Sequence, residues 1–250
     1  MIPASSIQEV INDIDTIIGL SRTQQSPMGY FATLYRRMTV AVSDGIQNNI
    51  FEDGARMAQF DVLFANRYLQ AWSAYTSQQR CTNAWYTTFE ACSNQKLVVL
   101  QHLVAGVNAH INLDLGIAAA TLAPGPAIFA LQNDFDKIND VIASLLQGIQ
   151  DSLCKIWFPL RAIESITNGS QDAVLNFSIV TARKTSWANA LALAFMPEDM
   201  RDIHINTLDA AVVTIANGII NPGTMTELLL YPVREMENTD VSKNIDLLQQ

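Results

Sequence analysis

The sequence predicts an all-α fold, a single domain in which several helices surround a buried central helix at about residues 95–122. Apolar residues recur at helical spacing along almost the whole chain, and no run of alternating β-branched residues indicates a strand. Glycine and proline are scarce, 11 and 8 of 250 residues, so turns are few and the elements between them are long. Between Leu97 and Asn133 the only formal charge is that of Asp114, which places this stretch in the interior.

Local signals define the helices of the first half of the chain. A first helix is predicted over residues 5–20, and a second opens at the Pro27-Met28-Gly29 turn and runs to residue 47, since proline is favoured in a first helical turn. Asp53-Gly54 is a cap for a long helix over about 55–75. A short aromatic helix at 83–92 then leads into the central helix.

The second half is divided by proline and glycine. Pro124-Gly125-Pro126 ends the central helix, and Asn133 or Asp134 is expected to cap a helix that runs to about residue 163. After a break at 168–170, two helices are predicted at 171–195 and 197–219. Residues 221–250 are expected to be a less regular, charged tail. No shift in composition indicates a linker, so residues 1–250 are predicted to form one helical domain.

Charge and cysteine content exclude several classes of protein. The chain has 15 Lys and Arg against 24 Asp and Glu, a net charge of −9, so an extended phosphate-binding surface and a nucleic-acid partner are not expected. Three cysteines without CxxC spacing suit a reducing compartment. The N-terminus has no basic and apolar signal pattern, and polar residues interrupt every long apolar run. A cytoplasmic protein without a membrane span is therefore expected.

The central helix is predicted to carry two polar stripes. At about 100° per residue, His102, Gly106, His110 and Asp114 share one face, which the glycine is expected to leave open, and three carboxamides lie on nearly the opposite side. Buried polar groups without partners are costly, so both stripes require partners from a network, water, a metal or a ligand. Hydrogen bonds between neighbouring helices can account for the carboxamides. The three carboxamides are Gln101, Asn108 and Asn112, and both asparagines are also candidate substrate contacts.

His110 and Asp114 are candidate catalytic residues with two possible chemistries. Their i, i+4 spacing allows both to ligate one divalent metal, Zn or Fe, in which case further ligands must come from elsewhere. Alternatively, Asp114 orients His110 and raises its basicity, which makes His110 a general base. His102 lies about 12 Å from His110 along the helix, so it is expected to contact substrate, support the site or bind a second ion. The candidates for additional ligands are Asp61, Asp134, Asp136 and His204.

The helix at 55–75 supplies further candidates. Asp61 and Arg67 lie among aromatic residues, so each needs an internal partner; Asp61 is a candidate catalytic group and Arg67 a candidate substrate contact. They are about 240° apart around the helix and cannot pair across one face. Trp72 is a candidate pocket-wall residue and substrate contact. The acidic run at 133–140 has some similarity to a Mg²⁺-binding motif, but helix capping accounts for it better.

Three stretches carry a family resemblance: QHLVAGVNAHINLDLGIAAA at 101–120, Tyr35-Arg36-Arg37, and FEDGARMAQFDVLFANRY at 51–68. They resemble a bacterial family known as DUF5995, a domain of unknown function. The similarity continues through Asp134-Phe135 and covers most of the chain. The family name implies no activity, but the residues selected above on physical grounds coincide with those that carry the resemblance.

These features favour a small-molecule enzyme whose pocket lies between helices, with His110 and Asp114 at its reactive end. The apolar composition favours an apolar substrate. Metal-assisted hydrolysis and metal-free acid/base chemistry, such as cyclisation or isomerisation, both remain open. A third alternative is a helical ligand-binding or interaction protein whose polar network only fixes helix packing. No GxSxG, P-loop or GxGxxG motif is present, and the sequence does not indicate an oligomeric state.

Overall fold

A computed structural model describes residues 2–156 and 170–250 of the protein, with backbone only at 146–147, 170–178 and 225–229. Over these ranges the chain forms helices and no strand, which confirms the all-α prediction. The α-helices are α1 (Ile7–Gln24), α2 (Met28–Gln47), α3 (Gly54–Thr76), α4 (Asn83–Glu90), α5 (Val99–Asn108), α6 (Gly116–Leu122), α7 (Ile128–Ile156), α8 (Ser170–Phe195), α9 (Glu198–Ile220), α10 (Thr224–Met236) and α11 (Val241–Leu248).

The central helix is continuous from Val99 to Leu122 and lies in the interior of the bundle. Between α5 and α6, residues Ala109–Leu115 have π-helical hydrogen bonding. Helices α2, α3, α4, α8 and α9 pack around it. Leu103 and Leu113 are almost completely buried, as expected for the core of the bundle. The prediction of a buried central helix is confirmed.

Two features of the central helix differ from the prediction. It begins at Val99 and not at residue 95, because Asn94 accepts hydrogen bonds from the backbone N–H groups of Lys96 and Leu97, and Val98 is extended. The π-helical stretch also widens the helix, because each π-helical turn contains one more residue than an α-helical turn. Such bulges are frequent at functional sites. Angular positions calculated for a regular α-helix therefore do not apply beyond Asn108.

The expectation of a less regular tail over residues 221–250 is wrong, because α10 and α11 occupy most of it. Asp240 caps α11 by accepting a hydrogen bond from the backbone N–H of Lys243. Ile245 and Leu248 are buried against the bundle, where α11 packs on α1, α2 and α7. Only 7 of the 30 residues at 221–250 are charged, and the apolar residues between them form the narrow face that attaches α11.

The capping prediction for α7 is also wrong. The helix begins at Ile128, so Asp134 lies inside it. The Asp134 carboxylate instead accepts hydrogen bonds from the backbone N–H groups of Glu52 and Asp53 and from Arg56 Nη2, at 2.6, 3.0 and 2.9 Å. These hydrogen bonds attach the N-terminal end of α3 to α7. The predicted end of this helix near residue 163 and most of the break at 168–170 lie outside the described residues.

Gly106 allows close packing between the central helix and α2. A Cβ atom at Gly106 would lie 2.4 Å from Cγ of Phe31 and 2.8 Å from its Cβ, so the substitution Gly106→Ala requires the buried Phe31 to move. Overpacking of this kind is expected to lower the free energy of unfolding by about 1–3 kcal/mol in urea denaturation. Gly19→Ala is the control, because nothing lies within 4 Å of that position in α1. A Gly106→Ala protein as stable as wild type would contradict the packing described here.

Two helices within the described residues are long and apolar enough to cross a membrane, Val99–Leu122 and Glu198–Ile220. The first is mostly buried in the bundle, whereas few residues of the second are buried. The absence of a membrane span therefore stays a prediction.

Candidate functional site

A cavity of about 340 Å³ lies between the central helix and helices α2, α3, α7, α8 and α9. Apolar side chains form most of its wall. Leu100, Val104 and Ile215 line it and are also exposed, so within the described part of the chain the cavity reaches the surface between α5 and α9. The polar side chains on its wall include Thr39, Asp61, Asn108, His110, Asn112 and Arg183.

The imidazole of His110 is held rigidly on this wall. It is 3% exposed, stacks on the ring of Phe64 with centroids 3.6 Å apart, and lies nearly perpendicular to the ring of Tyr35 with centroids 4.4 Å apart. Its Nδ1 lies 3.3 Å from Oδ2 of Asp114, one turn further along the helix. Its Nε2 is buried and has no hydrogen-bond partner among the described residues.

Asp114 is held by donors from three directions. Besides His110 Nδ1, Arg67 Nε donates to its Oδ1 at 2.8 Å and Trp85 Nε1 donates to its Oδ2 at 2.7 Å. Burial opposes the ionised form of Asp114, but the hydrogen bonds from His110 and Trp85 and the charge of Arg67 lower its pKa below the ordinary value. Asp114 is therefore ionised at neutral pH and accepts every hydrogen bond it makes.

This environment fixes the protonation state of His110. Burial lowers the pKa of His110 below its ordinary value, although Asp114 acts in the opposite direction. The imidazole is therefore neutral at pH 7. Because Asp114 accepts, the single ring proton of His110 is on Nδ1, and Nε2 carries an unshared lone pair. A buried, fixed and unpaired imidazole nitrogen is suited to remove a proton from a bound molecule.

Asp61 contributes a second titratable group to the same cavity. It is almost fully buried on α3, and its Oδ2 has no hydrogen-bond partner among the described residues. Burial raises the pKa of Asp61 to about 7. Its carboxyl group is therefore largely protonated just below neutral pH and is able to donate a proton, a role opposite to that of His110.

The raised pKa of Asp61 predicts a pH-dependent effect of the substitution Asp61→Asn. Between the unfolded pKa near 3.9 and the folded pKa near 7, the folded protein binds one more proton than the unfolded chain, so the Asp61 contribution to stability falls as pH rises. The asparagine side chain of the variant does not titrate. The stability of the variant relative to wild type should therefore increase by on the order of 3 kcal/mol from pH 4 to pH 8 in urea denaturation. A difference that is constant with pH would contradict the assignment.

His102 is buried but lies away from this cavity. Its ring contacts Tyr30 with centroids 5.9 Å apart, and burial lowers its pKa to about 4. Gly106, which was expected to leave the shared face open, is covered by Phe31. The structure therefore brings His110 and Asp114 together but places His102 in a separate part of the core.

The other substrate-contact candidates have different positions. Arg67 pairs with Asp114 and borders a second, more polar pocket of about 480 Å³ on the far side of that carboxylate. Trp72 lines neither pocket, and its buried Nε1 has no partner in the part of the chain that the structure describes. Asn108 donates to the backbone oxygen of Val212 on α9, and Asn112 donates to Oδ1 of Asn108. Gln101 likewise donates to the backbone oxygen of Ile219. Gln101 and Asn108 thus join the central helix to α9, whereas Asn112 bonds within the central helix, and both asparagines also line the cavity.

Of the four additional metal-ligand candidates, Asp61 lines the same cavity as His110, and Asp134, Asp136 and His204 do not. Asp134 is bound at the start of α3, and the buried His204 Nε2 has no partner among the described residues. Over residues 2–156 and 170–250, no group of three or more His, Cys, Asp and Glu side chains is close enough together to hold an ion.

Three residues of the site were not selected from the sequence as members of it. They are Trp85, which donates to Asp114, Phe64, which stacks on His110, and Arg183, which lines the cavity. No local signal links Trp85 to Asp114, 29 residues away. A signal exists for Arg183, because a charged residue in a largely apolar helix near the core requires internal partners.

Comparison with protein families gives one match. The model described as "Family of unknown function (DUF5995)" matches residues 7–222. No curated protein and no solved structure matches the chain. All residues of the cavity described above lie within the matched range.

Proposed function

The chain belongs to the DUF5995 family, and we propose that it is an enzyme that carries out metal-free acid/base chemistry on an apolar small molecule. One observation carries this proposal: His110, a fixed and neutral histidine whose buried Nε2 has no hydrogen-bond partner among the described residues, lines an apolar cavity. A structural histidine in a core normally has both ring nitrogens satisfied. A ring nitrogen without a partner in a residue that lines a cavity is explained by a ligand that forms the missing hydrogen bond.

In the proposed reaction, His110 Nε2 accepts a proton from a carbon or hydroxyl group of the bound molecule. The imidazolium that forms is stabilised by the ionised Asp114 at Nδ1, in water-poor surroundings where such an interaction is strong. Protonated Asp61 donates a proton elsewhere on the molecule. The two transfers together move a proton within the substrate, and the site is reset when His110 releases its proton and Asp61 regains one. Isomerisation and cyclisation have this proton balance.

The arrangement of Asp114 favours metal-free chemistry over metal-assisted hydrolysis. Both carboxylate oxygens already accept hydrogen bonds, and the cationic Arg67 lies 2.8 Å from Oδ1. A divalent cation at Asp114 would displace these donors and face the charge of Arg67. His110 also uses Nδ1 for Asp114, so the i, i+4 pair forms a hydrogen bond and not a chelate.

The small number of polar groups on the cavity wall supports an apolar substrate. It also supports a second candidate function, non-catalytic binding of an apolar ligand. The two functions differ in whether His110 performs proton transfer, and this can be measured without knowledge of the natural substrate.

The experiment uses 5-nitrobenzisoxazole, an apolar molecule that opens to 2-cyano-4-nitrophenolate when a base removes the proton on its C3 and the N–O bond breaks. We expect the wild-type protein to accelerate this reaction above an equal concentration of imidazole, with saturation as the cavity fills. Saturable binding without acceleration would support the binding function and contradict the enzyme. If the protein neither binds the molecule nor accelerates its opening, the proposal that the cavity binds small molecules would be contradicted.

A further inference from the structure

Arg183 places a buried positive charge on the wall of the same cavity. It lies on α8 and is 4% exposed. Its Nε donates to Oδ1 of Asn139 at 2.8 Å, its Nη2 donates to the backbone oxygen of Phe135, and its guanidinium stacks 4.4 Å from the Phe135 ring centroid. These contacts fix the guanidinium in position.

None of these partners neutralises the charge of Arg183. Both hydrogen-bond acceptors are uncharged, and within the described residues Arg183 forms no ion pair. Asp136 provides a favourable charge nearby but no hydrogen bond. Burial lowers the pKa of Arg183 to about 10, so the side chain stays charged at pH 7.

The other ionisable groups of the cavity wall do not compensate it either. His110 is neutral at pH 7, and Asp61 is protonated for much of the range below pH 7. Buried charges in proteins are normally paired, because an unpaired one is costly to remove from water. Arg183 lies on a cavity wall, and its hydrogen-bond partners among the described residues are neutral, which indicates that a bound molecule supplies a paired anion.

We propose that Arg183 is the specificity-determining residue for the substrate, and that the substrate is an amphipathic carboxylate whose apolar chain fills the cavity. This inference rests on the proposed function and names its substrate class. A carboxylate fits the guanidinium because its two oxygens match the planar fork of N–H donors. The hydrogen bonds to Asn139 and Phe135 account for two of the five N–H donors of Arg183. The apolar wall contacts the chain, and Arg183 recognises one end of it.

The test compares decanoate with decan-1-ol, which has the same chain and no charge. Each ligand displaces Nile red, a neutral apolar dye, from the protein at pH 6, where Asp61 is mostly protonated and decanoate is mostly ionised. We expect wild type to bind decanoate at least 10-fold more tightly than decan-1-ol. In Arg183→Gln, decanoate affinity should fall at least 10-fold and decan-1-ol affinity should change less than 3-fold. Arg36→Gln is the control, because Arg36 pairs with Asp15 at the surface and does not line the cavity.

Equal binding of the two ligands by wild type would overturn the proposal, and so would an Arg183→Gln protein that keeps the preference for decanoate. If Arg183→Gln does not fold, the wild-type protein is titrated with decanoate labelled with ¹³C at its carboxyl group. Contact with Arg183 should lower the pKa of the bound carboxyl below that of free decanoate, whereas a raised pKa would overturn the proposal.

The same measurements distinguish this inference from the proposed enzyme activity. His110→Gln should keep the preference for decanoate and lose only the opening of 5-nitrobenzisoxazole. Preference for decanoate without base activity would contradict the enzyme alone. Base activity without a preference for decanoate would contradict the role of Arg183 alone.

Discussion

Replacement of His110 by glutamine is expected to lower the rate at which the protein opens 5-nitrobenzisoxazole by about 10²–10⁴-fold, the usual contribution of a positioned general base. Glutamine is polar and fits a similar volume, but its amide cannot accept a proton at neutral pH. The loss should be in kcat and not in KM, because His110 removes a proton and contributes little to the apolar contacts that hold the molecule.

His102→Gln is the matched control for this variant. His102 is a buried histidine on the same helix, but it does not line the cavity. Its replacement should leave the rate within a few-fold of wild type. Equal rates for wild type and His110→Gln, or an equal loss for the two glutamine variants, would show that His110 is not the base.

Replacement of Asp114 by alanine is expected to cause the largest loss of stability among the site variants. The substitution leaves Trp85 Nε1, Arg67 Nε and His110 Nδ1 without their acceptor in the interior. Removal of one partner from a buried ion pair costs about 3–5 kcal/mol, and the lower end applies here because water can partly solvate Arg67, whose side chain is 28% exposed.

Urea denaturation measures this loss, with Asp15→Ala as the control. Asp15 pairs with Arg36 at the surface, where such pairs contribute about 0–1 kcal/mol. The free energy of unfolding of Asp114→Asn should lie between those of Asp114→Ala and wild type, because asparagine retains one acceptor oxygen but cannot satisfy all three donors. An Asp114→Ala protein as stable as Asp15→Ala would contradict the central position of Asp114 in the network.

The sequence was sufficient to predict the all-α fold and the buried central helix, because both depend on apolar periodicity and on a long stretch with one charge. The pairing of His110 with Asp114 also follows from spacing, since i and i+4 remain neighbours even where the helix becomes π-helical. The prediction that Gly106 leaves this face open was wrong. A glycine allows a side chain of a neighbouring helix to pack closely against it, and Phe31 occupies that space.

The partners of Asp114 could not be predicted for a different reason. Arg67 and Trp85 reach it from α3 and α4, and such contacts depend on how the helices pack rather than on any local pattern. The same holds for Asp134, which was expected to cap its own helix and instead binds the start of α3. Charged residues inside an apolar sequence indicate that a partner exists, but only the packing identifies it.

The most direct test of the proposed base is ¹⁵N NMR of the three histidine side chains between pH 4 and pH 8, with His110 assigned from the spectrum of His110→Gln. His110 should have a protonated Nδ1 and an unprotonated Nε2 at pH 7, and it should gain a second proton only below the ordinary histidine pKa of about 6.5. Addition of decanoate should shift the Nε2 resonance of His110 and leave that of His102 unchanged. A proton on Nε2 at pH 7, or protonation of His110 at or above pH 6.5, would contradict the proposal that a neutral His110 presents its lone pair to the cavity.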